Sequence, residues 1–156
     1  MKALLLSFKY AVSGIWFCVK TCRNFRIHLV AAAYILYFKG FYELDRTADA
    51  VIFSVIALVL MCEGINCALE QVCNACTEGY NDKIKHAKDA AAGAVLTTAL
   101  FSVAVGIEFF WQPEVLKQIF NFVFGDFLRL CLFILSLIIS VLFIFCKDIF
   151  KNEKGK

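Results

Sequence analysis

Apolar residues run along the chain in long blocks, each closed by a short cluster of charged or turn-forming residues. Ala50–Cys62 carries no charge and continues past Glu63 to Leu69. Ala90–Ile107 is 18 residues without a charge, and Leu130–Cys146 is 17. Leu29–Phe38 is shorter, but Gly40–Tyr42 extend it past Lys39, whose ammonium can snorkel to an interface. A membrane-spanning helix needs about 17–25 mainly apolar residues. The pattern therefore predicts spans at about 27–43, 50–72, 84–111 and 127–147. Between them lie "ELDRTAD", "TEGYND" and "WQPEVLKQ". Asn81 and Asp82 can cap the third span, and Pro113 ends it. Residues 114–125 are expected to make a short amphipathic helix, and "KDIFKNEKGK" a frayed, solvated tail.

The first 22 residues follow a different period. Lys2, Lys9, Ser13 and Lys20 fall within about 40° of one another at 100° per residue. Leu4, Leu5, Phe8, Val12, Ile15 and Trp16 lie mostly elsewhere around the helix. That is the pattern of a helix lying in the membrane interface with a lysine stripe facing water. It is not the pattern of a secretory signal, because Lys9 interrupts the apolar core and no small-residue cleavage site precedes Lys20.

Composition agrees with a membrane protein. The chain is 62% hydrophobic, with 17 Phe and one Pro, against about half apolar in soluble domains. A soluble α bundle is disfavoured on that ground. The fold class is all-α integral membrane, with an N-terminal interfacial helix and four spans. Of 16 Lys and Arg, all but Lys39, Arg46, Lys117 and Arg129 fall on the N-terminal stretch, the second loop and the tail. The positive-inside rule makes that side cytoplasmic, with both termini there.

The eight cysteines suggest no disulfide framework. Cys18, Cys22, Cys73 and Cys76 fall on the reducing side. Cys62, Cys67, Cys131 and Cys146 lie in helices, where cysteine acts as a small apolar residue. Cys73 and Cys76 form a CxxC, but without a second ligand pair a metal or redox role is disfavoured.

Against this background "EGINCALE" stands out. Glu63, Asn66 and Glu70, spaced i, i+3, i+7, share a helix face within about 60°. An acidic residue at the centre of a span costs at least about 2.5–3.5 kcal/mol to insert. Structural hydrogen bonds across helices would explain such residues, but intramembrane carboxylates are functional candidates by default. Lys88 and Asp89 open the third span across a short loop and are expected beside Glu70. An ammonium for phosphate oxygens and a carboxylate for a divalent cation suit nucleotide binding. Asp89 also suits a helix N-terminus. Glu63, deeper, is placed to act as base toward a hydroxyl arriving from the lipid.

"EGINCALE" followed by "AKDAAAGAVL" resembles the prokaryotic diacylglycerol kinase and undecaprenol kinase family. Glu63, Asn66, Ala68, Glu70, Ala87, Lys88 and Asp89 stand at matching positions, with the step from Glu70 to Lys88 preserved. "FKYAVSGI" and "RNFRIHL" resemble the family's N-terminal segments, the latter its undecaprenol kinase branch. The resemblance covers about residues 7–112, which makes 1–112 a kinase-like membrane domain and 113–156 a C-terminal extension with an extra span.

The resemblance implies an ATP-dependent kinase acting on a membrane lipid alcohol, undecaprenol first and diacylglycerol second. It implies a homotrimer with active sites shared between neighbours, in a bacterial cytoplasmic membrane, using ATP and Mg²⁺ and no nucleic acid. By the same resemblance Glu63 is the general base, Asn66 shapes the site and Glu70 ligates metal. Lys88 and Asp89 contact nucleotide, together with Tyr10, Gly14, Tyr80 and Asn81. Three positions depart from the family pattern. Cys22 stands where a second metal-ligating glutamate is usual, and a thiol is a poor ligand for Mg²⁺. Asn74 replaces an aspartate, and Leu130–Cys146 adds a span. Cys22 is the feature that favours the competing class, a non-catalytic relative that binds nucleotide or lipid.

Overall fold

The computed structural model describes residues 2–76 and 79–145. Cys146, the tail expected to fray, and part of the second loop lie outside the described residues. Six α-helices follow in order: α1 (Lys2–Thr21), α2 (Arg23–Phe38), α3 (Arg46–Cys76), α4 (Asp82–Phe110), α5 (Pro113–Phe124) and α6 (Phe127–Phe145). A 3-10 turn, Lys39–Phe41, continues α2. Among the described residues there is no strand.

The helix starts follow from side-chain chemistry. The Asp45 carboxylate accepts from Ala48 N–H at 2.8 Å before α3. Asn81 accepts from the N–H groups of Lys83 and Ile84 before α4. Asp126 accepts from Leu128 N–H before α6. Each satisfies a donor that the first helical turn leaves without a partner. Pro113 sits at the first position of α5, where its missing N–H costs nothing.

By length and apolarity α1, α3, α4 and α6 can each cross a membrane, α1 being the least hydrophobic of the four. The span expected at 27–43 is built differently, as the 16 residues of α2 plus the 3-10 turn. Together these reach about 30 Å, the thickness of a hydrocarbon core. The helices α3 and α4, 31 and 29 residues long, exceed that thickness by about ten residues. Residues Ala3–Phe17 of α1 are exposed, and the helix becomes half-buried or buried only at Cys18–Lys20.

α6 packs antiparallel to α2. The Tyr34 hydroxyl lies 3.0 Å from Ser136 Oγ and 3.2 Å from Ser140 Oγ. Phe133 meets Tyr34 and Phe38 edge-on. At the opposite end Arg26 of α2, 1% exposed, joins two other helices. Its Nε and Nη2 donate to the Ile144 carbonyl of α6, and its Nη1 to the Val19 and Lys20 carbonyls of α1. The guanidinium thus satisfies the last carbonyls of two helices and complements both C-terminal dipoles. Near the other end Lys39 pairs with Asp49 and lies over the Phe53 ring, and the Tyr42 hydroxyl donates to the last carbonyl of α4, Phe110, at 3.1 Å.

The expectation that the cysteines stay unpaired is corrected. Cys22 and Cys67 form a disulfide, with Cα atoms 6.3 Å apart. The α1–α2 junction folds onto α3 at this level, and Val19, Cys22, Phe25 and Cys67 make a small buried core. Cys67 is therefore a partner of Cys22 rather than an apolar filler. Cys18, Cys62, Cys73, Cys76 and Cys131 are free thiols.

Candidate active site

The α1–α2 junction and α3 enclose a polar cleft of about 320 Å³. Thr21, Cys22, Arg23 and Asn24 form one wall; Glu63, Asn66, Cys67, Glu70 and Gln71 form the other. The i, i+3, i+7 spacing turns Glu63, Asn66 and Glu70 to this wall together. Glu63 is 2% exposed and Asn66 6%, whereas Glu70 is exposed. Along the helix axis Glu63 lies about 10 Å from Glu70.

Two oxygens in this cleft stand out. Among the described residues, the buried side-chain atoms without a hydrogen-bond partner are Glu63 Oε2 and Asn66 Oδ1. Leaving such groups unpaired costs about 1–3 kcal/mol each, so a native chain keeps them for a reason. Asn24 approaches the Glu63 carboxyl from the opposite wall. Sequence reasoning missed Asn24, because an asparagine one position into a helix carries no spacing signal.

A second polar cleft, of about 310 Å³, lies further along α3 at its turn into α4. Cys73, Asn74, Tyr80, Asn81, Lys88 and Asp89 are among its lining residues. Lys88 Nζ donates to Asn74 Oδ1 at 2.6 Å. Lys88 and Asp89 thus line a cleft adjacent to, but separate from, that of Glu63 and Glu70. Asn74 lies one helical turn beyond Glu70 on the same face of α3, so this contact brings Lys88 to the Glu70 end of the helix. Asn81 Oδ1 is engaged as the α4 cap. The Tyr80 hydroxyl donates to Asp82 at 2.8 Å, and this bond, with the Asp89 charge nearby, raises the phenol above its ordinary pKa.

The two candidate residues of α1 join neither polar cleft. Tyr10 is exposed. Gly14 lines an apolar groove of about 780 Å³ with Phe25, Leu60, Met61, Gly64 and Ala68. A Cβ at Gly14 would meet nothing within 4 Å, so this chain alone imposes no need for glycine there.

The donor set bears on a divalent cation. Glu70 offers hard carboxylate oxygens of the kind Mg²⁺ prefers. Among the described residues no group of three His, Cys, Asp or Glu could hold a metal on its own. Mg²⁺ is commonly held by one or two carboxylates and substrate phosphates rather than by an all-protein cage. The Cys22 sulfur is bonded to Cys67 and cannot serve as a ligand in this state.

The family model for prokaryotic diacylglycerol kinase matches residues 9–110. The chain belongs to that family. It is 39% identical over 104 residues to a diacylglycerol kinase of Synechocystis, covering 66% of this chain and 59% of the relative. It is 36% identical over 104 residues to the undecaprenol kinase of Bacillus subtilis, covering 67% and 85%. The chain thus spans less than two thirds of the length of the first relative. No solved structure gives a significant match. The names of the family and of both relatives are those of lipid kinases.

Proposed function

We propose that the chain is an integral-membrane lipid kinase that transfers the γ-phosphoryl group of ATP to a lipid alcohol, undecaprenol before diacylglycerol. The observation that carries this reading is Glu63: a buried carboxylate with an unpartnered oxygen, about 10 Å along α3 from the exposed Glu70. Glu63 takes the proton of the lipid hydroxyl, and Asn66 and Asn24 orient the carboxyl and the incoming alcohol. The apolar groove beside Gly64 and Ala68 receives the hydrocarbon chain. Glu70 faces the phosphates and would hold Mg²⁺, which would supply neutralisation of their charge. Lys88 exchanges its Asn74 partner for a phosphate oxygen, and Asp89, Tyr80 and Asn81 line the nucleotide's approach. Positioning and charge neutralisation are most of what phosphoryl transfer asks of a protein.

Two clefts along one helix, with Tyr10 and Gly14 outside both, support a homotrimer in which neighbouring copies complete each site. The skew of Lys and Arg supports a multi-pass protein of a bacterial cytoplasmic membrane with both termini inside. The proximity of the α6 end to the start of α2 is consistent with that. Residues 1–112 form the kinase domain and 113–156 an extension carrying α6.

The test is purified protein in lipid bilayers with labelled ATP, Mg²⁺ and each alcohol in turn. Incorporation into undecaprenol above diacylglycerol is expected; incorporation into neither sinks the kinase reading. A non-catalytic relative is the second reading, favoured by Cys22 in place of a carboxylate. It predicts nucleotide binding without transfer in that assay.

A further inference from the structure

The disulfide lies in the wall of the cleft itself. Cys22 is the residue before α2, and Cys67 follows Asn66 directly. Both line the cleft that holds Glu63 and Glu70. The Thr21 hydroxyl lies 3.5 Å from the Cys22 sulfur and 3.9 Å from that of Cys67. A third thiol, Cys18, stands one helical turn before Cys22 and packs against the same small core. Three cysteines thus gather where the two walls meet, although 45 residues separate the bonded pair.

Such a bond is out of keeping with a purely structural role. Cys22 falls on the side expected to be reducing, where disulfides are usually transient and redox-sensing. We propose that Cys22 and Cys67 form a reversible redox site that senses low-molecular-weight disulfides and, when oxidised, slows the kinase. This rests on the kinase reading above for its effect on rate, but not for the chemistry of the bond.

The chemistry is thiol–disulfide exchange. The Cys22 thiolate attacks one sulfur of the small disulfide, and one small thiol leaves. The Cys67 thiolate then attacks the Cys22 sulfur of the mixed disulfide, and the second small thiol leaves. Two protein thiols are oxidised, one small disulfide is reduced to two thiols, and the two protons end on those thiols. Two small thiols reverse the sequence. The consequence follows from position. The bond pins the α1–α2 junction to α3 beside Asn66, so the walls carrying Asn24 and Glu63 cannot move apart or close around substrates. Reduction frees them and returns the Cys22 sulfur to the cleft.

The experiment uses the full chain in lipid bilayers, treated with glutathione disulfide or with dithiothreitol. Free thiols are alkylated, the Cys22–Cys67 peptide is read by mass spectrometry, and lipid phosphorylation is measured on the same samples. Glutathione disulfide is expected to join Cys22 to Cys67, and dithiothreitol to separate them. Turnover should fall about tenfold on oxidation, within the range that small misplacements cost, and return on reduction. Cys67→Ser should turn over at one rate under both treatments. Failure of the linked peptide to form, or equal turnover of the two states, overturns the proposal. A bond that cycles in a chain phosphorylating no lipid in either state sustains the redox site and sinks the kinase reading instead.

Discussion

The Arg26 guanidinium holds the end of α6 through the Ile144 carbonyl, 118 residues away in sequence, with contacts of 2.9 and 3.1 Å. The same side chain closes the end of α1, so it ties the extra span and the N-terminal helix to the start of α2. Two residues before it, Asn24 faces Glu63. Replacing Arg26 by Met leaves the buried carbonyl of Val19 and the half-buried ones of Lys20 and Ile144 without this donor. Hydrogen bonds to a charged group contribute about 1.5–3 kcal/mol each, so Arg26→Met should destabilise the fold by about 3 kcal/mol or more. Arg26→Lys keeps the charge but loses the planar fork and should cost less. Unfolding in detergent measures both; an unchanged midpoint for Arg26→Met would contradict the anchoring role.

The Tyr34 contact with Ser136 and Ser140 is a smaller matter. Hydrogen bonds between membrane helices average about 0.6 kcal/mol. Tyr34→Phe should therefore lower stability by about that amount and leave lipid phosphorylation intact. A loss comparable to that of Arg26→Met would mean that α6 is held chiefly at this level.

Lys88 and Asn74 form the other polar contact of consequence. If Lys88 leaves Asn74 for a phosphate oxygen, Lys88→Ala should raise KM for ATP by about tenfold or more. The lipid KM should stay near its original value. A change confined to the lipid would move Lys88 out of the nucleotide's path.

Cys22→Glu probes both the metal and the disulfide. It removes the bond to Cys67 and adds a hard oxygen donor to the wall opposite Glu70. Turnover should rise and less Mg²⁺ should suffice for half-maximal rate. No response to Mg²⁺ concentration would show that this wall does not face the metal.

Much of the fold was legible in the sequence because a bilayer imposes long apolar runs, and capping residues mark their ends. Asn81 caps α4 as its position predicts, and Pro113, expected to end the third span, also opens α5; the Asp45 and Asp126 caps emerge only in the structure. The shared face of Glu63, Asn66 and Glu70 was legible because helical spacing dictates it. Contacts between distant elements were not. Arg26 reads as an interfacial cation but is buried under two helix ends, since only the packing of α1 and α6 gives its donors acceptors. Cys22 and Cys67 carry no spacing that announces a bond. The Lys88 contact with Asn74 depends on which way α4 leaves its cap, and no local pattern encodes it.

The most direct test of the account is Glu63→Gln, with lipid phosphorylation measured in bilayers alongside the parent chain. The amide keeps the size of the side chain and removes its basicity. A positioned base contributes about 10²–10⁴-fold, so turnover should fall by at least about 10²-fold with thermal stability unchanged. Retained turnover in a folded Glu63→Gln chain would contradict the role assigned to Glu63.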